Sequence, residues 1–160
     1  MIWVITANTN MCHIYKYNKA PPELFLLKEI NHPELRAKTG DSMTTEQPGH
    51  YRTKGPTYEA YTPSVDPKEV AVEQFSQEIS KILDHSRSTN EYEKLIIVTL
   101  PHMNGLLFKH LNKHVKSLVI NNIQKDVMQL ENNDLLNFLK ELQLQDIDLL
   151  QHLQHNKHYL

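Results

Sequence analysis

The 160-residue sequence predicts a single α/β domain, a mixed sheet of about five strands flanked by helices. Three observations predict it. Three β-rich runs lie close together within the first thirty residues, which favours an antiparallel meander. A strand–helix–strand run follows later, which favours a parallel crossover. The apolar and charged fractions, 39% and 22%, are those of an ordinary globular chain long enough to bury one core.

The elements follow in order. Ile2–Ala7 and Cys12–Tyr17 are strands separated by Asn8-Thr9-Asn10, where asparagine tolerates the positive φ of a tight hairpin. Glu23–Ile30 is the third strand, after Pro21-Pro22. From Asn31 to Val65 no apolar period is sustained, and prolines and glycines recur. A loop of that length in a compact domain is commonly functional or mobile. Asp66-Pro67-Lys68-Glu69 opens a helix: Asp66 caps, Pro67 takes the first helical position and Glu69 completes a capping box. Val72, Phe75, Ile79, Ile82 and Leu83 share one face of that helix, which ends near His85-Ser86. Leu95–Leu100 is a buried strand. A helix spans about Asn104 to Asn112, and Val115–Ile123 is a further strand. Asn132 or Asn133 caps a helix carrying Leu135, Leu136, Leu139 and Leu142, and Leu144–Leu153 forms a second helical piece. The expected core holds Trp3, Val4, Ile14, Leu26, Phe75, Ile79, Ile97, Leu107 and Leu139.

Charge is segregated beneath a net value of −2. Leu95–Lys125 holds Lys109, Lys113, Lys116 and Lys125 with His102, His110 and His114, and no acidic residue. Asp126–Leu150 is the reverse, with six acidic residues against Lys140. A strand feeding a helix inside a basic segment suits an anion such as a phosphate, although a solvated basic face reads the same. In the long loop His32, Arg36, Lys38, His50, Arg52 and Lys54 suit an anion site, with Tyr51 and Tyr58 available to stack on bases. The anion- or RNA-binding candidates are therefore Arg36, Lys38, His50, Arg52, Lys54, Lys109, Lys113 and Lys116.

Other chemistry is poorly served. His110 and His114 stand four apart, but the catalytic zinc pattern needs a glutamate beside the first, where Leu111 and Lys109 stand instead. No metal site and no cofactor is expected. A two-metal nuclease needs clustered carboxylates, and the first strands offer Thr6, Asn8 and Asn10. Cys12 is the single cysteine, which fits a reducing compartment. Met1–Ile5 lacks the basic start of a signal peptide, and no apolar run approaches a membrane span. The expected location is the cytoplasm, with export lacking a cleavable signal left open.

Three segments together resemble the bacterial proteins named "required for attachment to host cells". They are Trp3–Asn8 running on to Ile14-Tyr15; His32–Lys38 with Gln47-Pro48-Gly49-His50; and Asp66–Glu69 through Phe75, Leu95–Pro101, Gly105-Leu106-Leu107 and Lys125-Asp126. That family is similar to the middle domain of class 1 release factors of the eukaryotic and archaeal type. The resemblance implies a ribonuclease-H-like fold and an association with ribosomes or tRNA. It does not carry the release factors' chemistry: there is no Gly-Gly-Gln, and Arg52-Thr53-Lys54-Gly55 follows the nearest loop. Asn8, Met11 and His13 stand where the family commonly has Asp and arginines.

The resulting expectation is an α/β domain over residues 1–142 and a helical extension and tail over 143–160. The domain is expected to be non-catalytic and to contact ribosomal RNA or tRNA. The alternative is an infection-related or host-attachment protein-interaction factor, with a partner or second copy bound through the leucine-rich C-terminus. A third reading is an ester hydrolase with His50 as base.

Overall fold

A computed structural model describes residues 1–35 and 66–158, and for the last three of these the backbone alone. Strands β1 (Ile2–Ala7), β2 (Met11–Lys19), β3 (Pro22–Asn31), β4 (Lys94–Thr99) and β5 (Val119–Gln124) form one sheet in the order β3-β2-β1-β4-β5. The first three strands pair antiparallel, as a meander must when joined by short turns. β4 lies parallel to β1, and β5 parallel to β4. The fold is thus a single α/β domain with a mixed five-stranded sheet.

The β1–β2 turn forms where asparagines were expected to permit positive φ, but by another device. Asn8 Oδ1 accepts from the backbone N–H groups of Asn10 and Met11, at 3.0 and 2.8 Å. Among the described residues, the non-glycine with positive φ is Asn90.

Helices α1 (Pro67–Ser88), α2 (Pro101–His110) and α3 (Lys113–Lys116) cover one face of the sheet. Val72, Phe75, Ile79 and Leu83 of α1, Met103 and Leu107 of α2, and Val115 of α3 pack there on Trp3, Ile5, Ile14 and Ile97. Asp66 caps α1 by accepting from the Lys68 N–H at 3.0 Å, and Pro67 opens it as expected. The capping box is not completed. Glu69 instead meets His102 on α2.

One helix, α4 (Asn132–His158), covers the other face through Leu135 and Leu139, set against Val4, Tyr15, Tyr17, Leu24, Ile96 and Val98. It begins beside edge strand β3, where the Asn132 amide donates to the Leu24 carbonyl at 3.2 Å. It reaches edge strand β5 at Asp146, which accepts from Asn121 Nδ2 at 3.5 Å. The fourteen residues between advance about 21 Å, close to the roughly 19 Å width of five strands. The two expected helical pieces are this one continuous helix.

Both edge strands carry a bulge. Ile14 pairs with Lys28 and Tyr15 with Leu26, so Leu27 is the extra residue in β3. Leu95 pairs with Val119 and Ile96 with Asn121, so Ile120 is extra in β5. The β3 bulge sends Leu24 and Ile30, which share a sequence parity, to opposite faces. The expected core is corrected at one position. Leu26 is 51% exposed, because α4 begins over Leu24 and runs toward β5. The other eight expected core residues are buried.

Three elements depart most from their expected bounds. The helix expected from Asn104 begins at Pro101 and stops at His110. The strand expected from Val115 begins at Val119, because residues 113–116 form the single turn α3. α1 continues to Ser88, where Thr89 caps it.

Candidate nucleic-acid interface

The basic segment is cut in two by the break between α2 and α3. Leu111 is buried, and Asn112 caps α3 by accepting from the Val115 N–H at 2.9 Å. Lys109 and Lys113, four apart in sequence, therefore stand on different helices, as do His110 and His114. Each half has its own electrostatics.

On α2 the lysine and both histidines meet carboxylates of α1. Glu73 Oε1 receives Lys109 Nζ at 2.8 Å and His110 Nε2 at 2.9 Å. The hydrogen bonds from Lys109 and then His110 hold the Glu73 carboxyl below the usual range. His102 Nε2 lies 2.5 Å from Glu69. A third α1 carboxylate, Glu78, receives His32 Nε2 at 2.9 Å, while Glu34 takes the other ring nitrogen at 3.1 Å. The Glu78 hydrogen bond raises the His32 pKa against the lowering effect of burial. His32 is thereby committed to two carboxylates, which removes it from the expected anion site.

On α3 Lys113, His114 and Lys116 are exposed around the buried anchor Val115. Neither lysine forms an ion pair among the described residues. Two open clefts flank the turn. One, of about 320 Å³, is lined by Gln77, Ser80, Lys81, Asp84, His110 and Asn112. The other, of about 370 Å³, is lined by Arg87, Asn90, Tyr92, Glu93, His114, Ser117 and Leu118. Asp84 of the first cleft pairs with Arg87 of the second. Hydrogen bonds from Asn112 and then Arg87 hold its carboxyl low. Arg87 is thus engaged, with Nε and Nη2 at 3.1 and 3.0 Å from Asp84 Oδ1.

Arg36, Lys38, His50, Arg52 and Lys54, with Tyr51 and Tyr58, lie outside the described residues, as does the segment expected to be mobile. Of the eight candidate residues, the structure places Lys113 and Lys116 together and sets Lys109 apart.

The C-terminal ends of the parallel strands carry amides rather than carboxylates. Asn104, 4% exposed in the first turns of α2, donates to Thr99 Oγ1 at 2.9 Å and to Asn122 Oδ1 at 2.6 Å. Its own carbonyl accepts from Asn122 and Gln124, each at 3.3 Å. This satisfied network locks α2 onto β4 and β5. The sequence signal was the pair Asn121-Asn122 inside a strand, where one side chain must face a packed helix. Cys12 is buried, which pushes its thiol up to about 12 and keeps it protonated.

The sheet order and the two covered faces define an α/β domain whose described surface presents a small basic turn. The chain belongs to the family described as "Protein required for attachment to host cells", whose model matches residues 3–139. Comparison with curated proteins gives no match. Among solved structures the chain is similar to an archaeal translation termination factor, aRF1, at 13% identity and a TM-score of 0.46, covering 92% of this chain and 41% of that one. A second, described as an archaeal protein, matches at 13% identity and a TM-score of 0.43, covering 92% and 40%. The chain thus spans about two-fifths of the length of these structures. No helix among the described residues is long and apolar enough to cross a membrane.

Proposed function

We propose that this chain is a non-catalytic, cytoplasmic module that contacts ribosomal RNA or tRNA through the phosphate backbone. The observation that supports this most is the contrast along the basic segment. Lys113 and Lys116 project from α3 without an acidic partner among the described residues, whereas Lys109 and the histidines of α2 already meet carboxylates of α1. Arg36, Lys38, His50, Arg52 and Lys54 supply a second arm of the same charge in this reading. Lys109 contributes weakly, because an incoming phosphate must compete with Glu73 at 2.8 Å.

Titration of tRNA and of a short RNA duplex at increasing salt tests it. Lys113→Glu with Lys116→Glu is expected to reduce the salt slope by about two units if each lysine meets one phosphate of a duplex. Lys109→Glu should change it by less than one. Absence of RNA binding by the wild type at low salt would overturn the reading.

A second reading, a protein-interaction factor in host attachment, is favoured by the family's description and by the exposed leucines of α4. Saturable binding of the purified protein to host cells, at a salt concentration that abolishes RNA binding, is its expected result.

A further inference from the structure

The apolar stripe of α4 does not stop where the sheet stops. Leu135, Leu139 and Leu142 face the sheet, and Leu149 and Leu153 continue the same line. With Asp146 included, the stripe advances by alternating steps of four and three, the spacing of a coiled-coil seam. Asp146 is its one polar member, and Asn121 of β5 meets it at the sheet edge. Beyond Asp146 the helix runs twelve more residues, about 18 Å. There Leu149, Leu150 and Leu153 are 60%, 59% and 51% exposed.

A helical segment this short is marginal in water without a packed face. A seam at heptad spacing fits another helix better than a sheet edge. Both edge strands, moreover, are blunted by their bulges at Leu27 and Ile120, which disfavours edge-to-edge addition.

We infer that the α4 overhang is a self-association element, on which the overhang of a second copy packs antiparallel about a two-fold axis near Leu150. The overhang is suited to its own copy. Its first turn carries Asp146 and Asp148, and its later turns carry His152 and His155. Antiparallel pairing sets the acidic end of each helix toward the histidine end of the other. Parallel pairing sets acid beside acid. An isologous contact of this kind repeats the same leucines on both sides. Two overhangs laid together bury on the order of 1,000 Å², the lower end of a specific interface.

Sedimentation equilibrium of the full chain over a range of concentrations is the test. The wild type is expected to dimerise in the micromolar range. Leu149→Glu with Leu153→Glu should weaken association by about a hundredfold or more, since each copy loses two apolar contacts from the seam. Both leucines are exposed, so circular dichroism should show the fold retained. A monomeric wild type at 100-fold the working concentration overturns the inference, as does a dimer that survives the double substitution. Phe25→Ser with Leu26→Ser, on the β3 edge, should leave the dimer intact; dissociation there would move the interface and refute the proposal. Geometry is read independently by oxidising Leu150→Cys. A rapid interchain disulfide is expected, while Leu144→Cys, on the opposite side of the helix, should form none. The reverse pattern excludes an antiparallel axis near Leu150.

Discussion

The two faces of the sheet are held by different means. One face is covered by three helices and stitched by polar contacts. Asn104 ties α2 to the strands, and Glu69, Glu73 and Glu78 on α1 hold His102, His110 with Lys109, and His32. Among the described residues the other face rests on a single helix whose contacts are almost wholly apolar, and the Tyr17 hydroxyl is buried there without a described partner. The difference teaches where specificity resides. Apolar contact sets how strongly a helix docks, while the polar contacts fix which helix meets which edge and at what angle.

That contrast breaks most easily on the one-helix face. Leu139, 2% exposed, is a central contact of α4. Leu139→Ala should cost about 2–5 kcal/mol, read from urea unfolding, and among the described residues no second helix lies on this face to refill the cavity. A loss below about 1 kcal/mol would mean that α4 is not the chief cover of this face.

The next effect sharpens the opposite face. Asn104→Ala leaves Thr99, Asn122 and Gln124 short of partners near the ends of β4 and β5. The expected loss is about 1–3 kcal/mol. Asn122→Ala in the Asn104→Ala background should add little, because the two amides form one network. Full additivity would show them to be independent.

The smallest effect is a pH dependence confined to the stitched face. His32 has a raised pKa, so its pairing stabilises fully below its unfolded value of about 6.5 and is lost as pH rises through the folded value. Glu73 has a lowered pKa, so its contribution is present above the unfolded carboxylate value and is lost as pH falls through the folded one. The two together favour a plateau between about pH 4.5 and 6.5. Urea midpoints should decline modestly from pH 6 to pH 8.5, and Glu78→Gln should flatten that limb. An unchanged slope in the variant would show that His32 draws nothing from Glu78.

The legible part of this fold was the part written in local pattern. The meander, the proline-led start of α1, the buried β4 and eight of nine core positions follow from periods and caps within a few residues. Leu26 escaped because it lies on the α4 face of an edge strand that the helix leaves uncovered beyond Leu24, and where a helix crosses a sheet is set by packing. The break at Leu111-Asn112 was readable in principle, since asparagine before a basic turn is an N-cap signal, but it competed with a longer apparent helix.

The candidate site was legible only in composition. Sequence alone determined that lysines and histidines cluster without acid over residues 95–125, because that is a count along the chain. Which of them remain available was decided by the tertiary fold. Glu69 and Glu73 lie more than thirty residues from their partners, and only the packing of α1 against α2 brings them together. Likewise the leucines of α4 were fixed by sequence, but their division was not. The sheet is about 19 Å wide, so the helix outruns it at Asp146, burying one half of a continuous stripe and leaving the other half open.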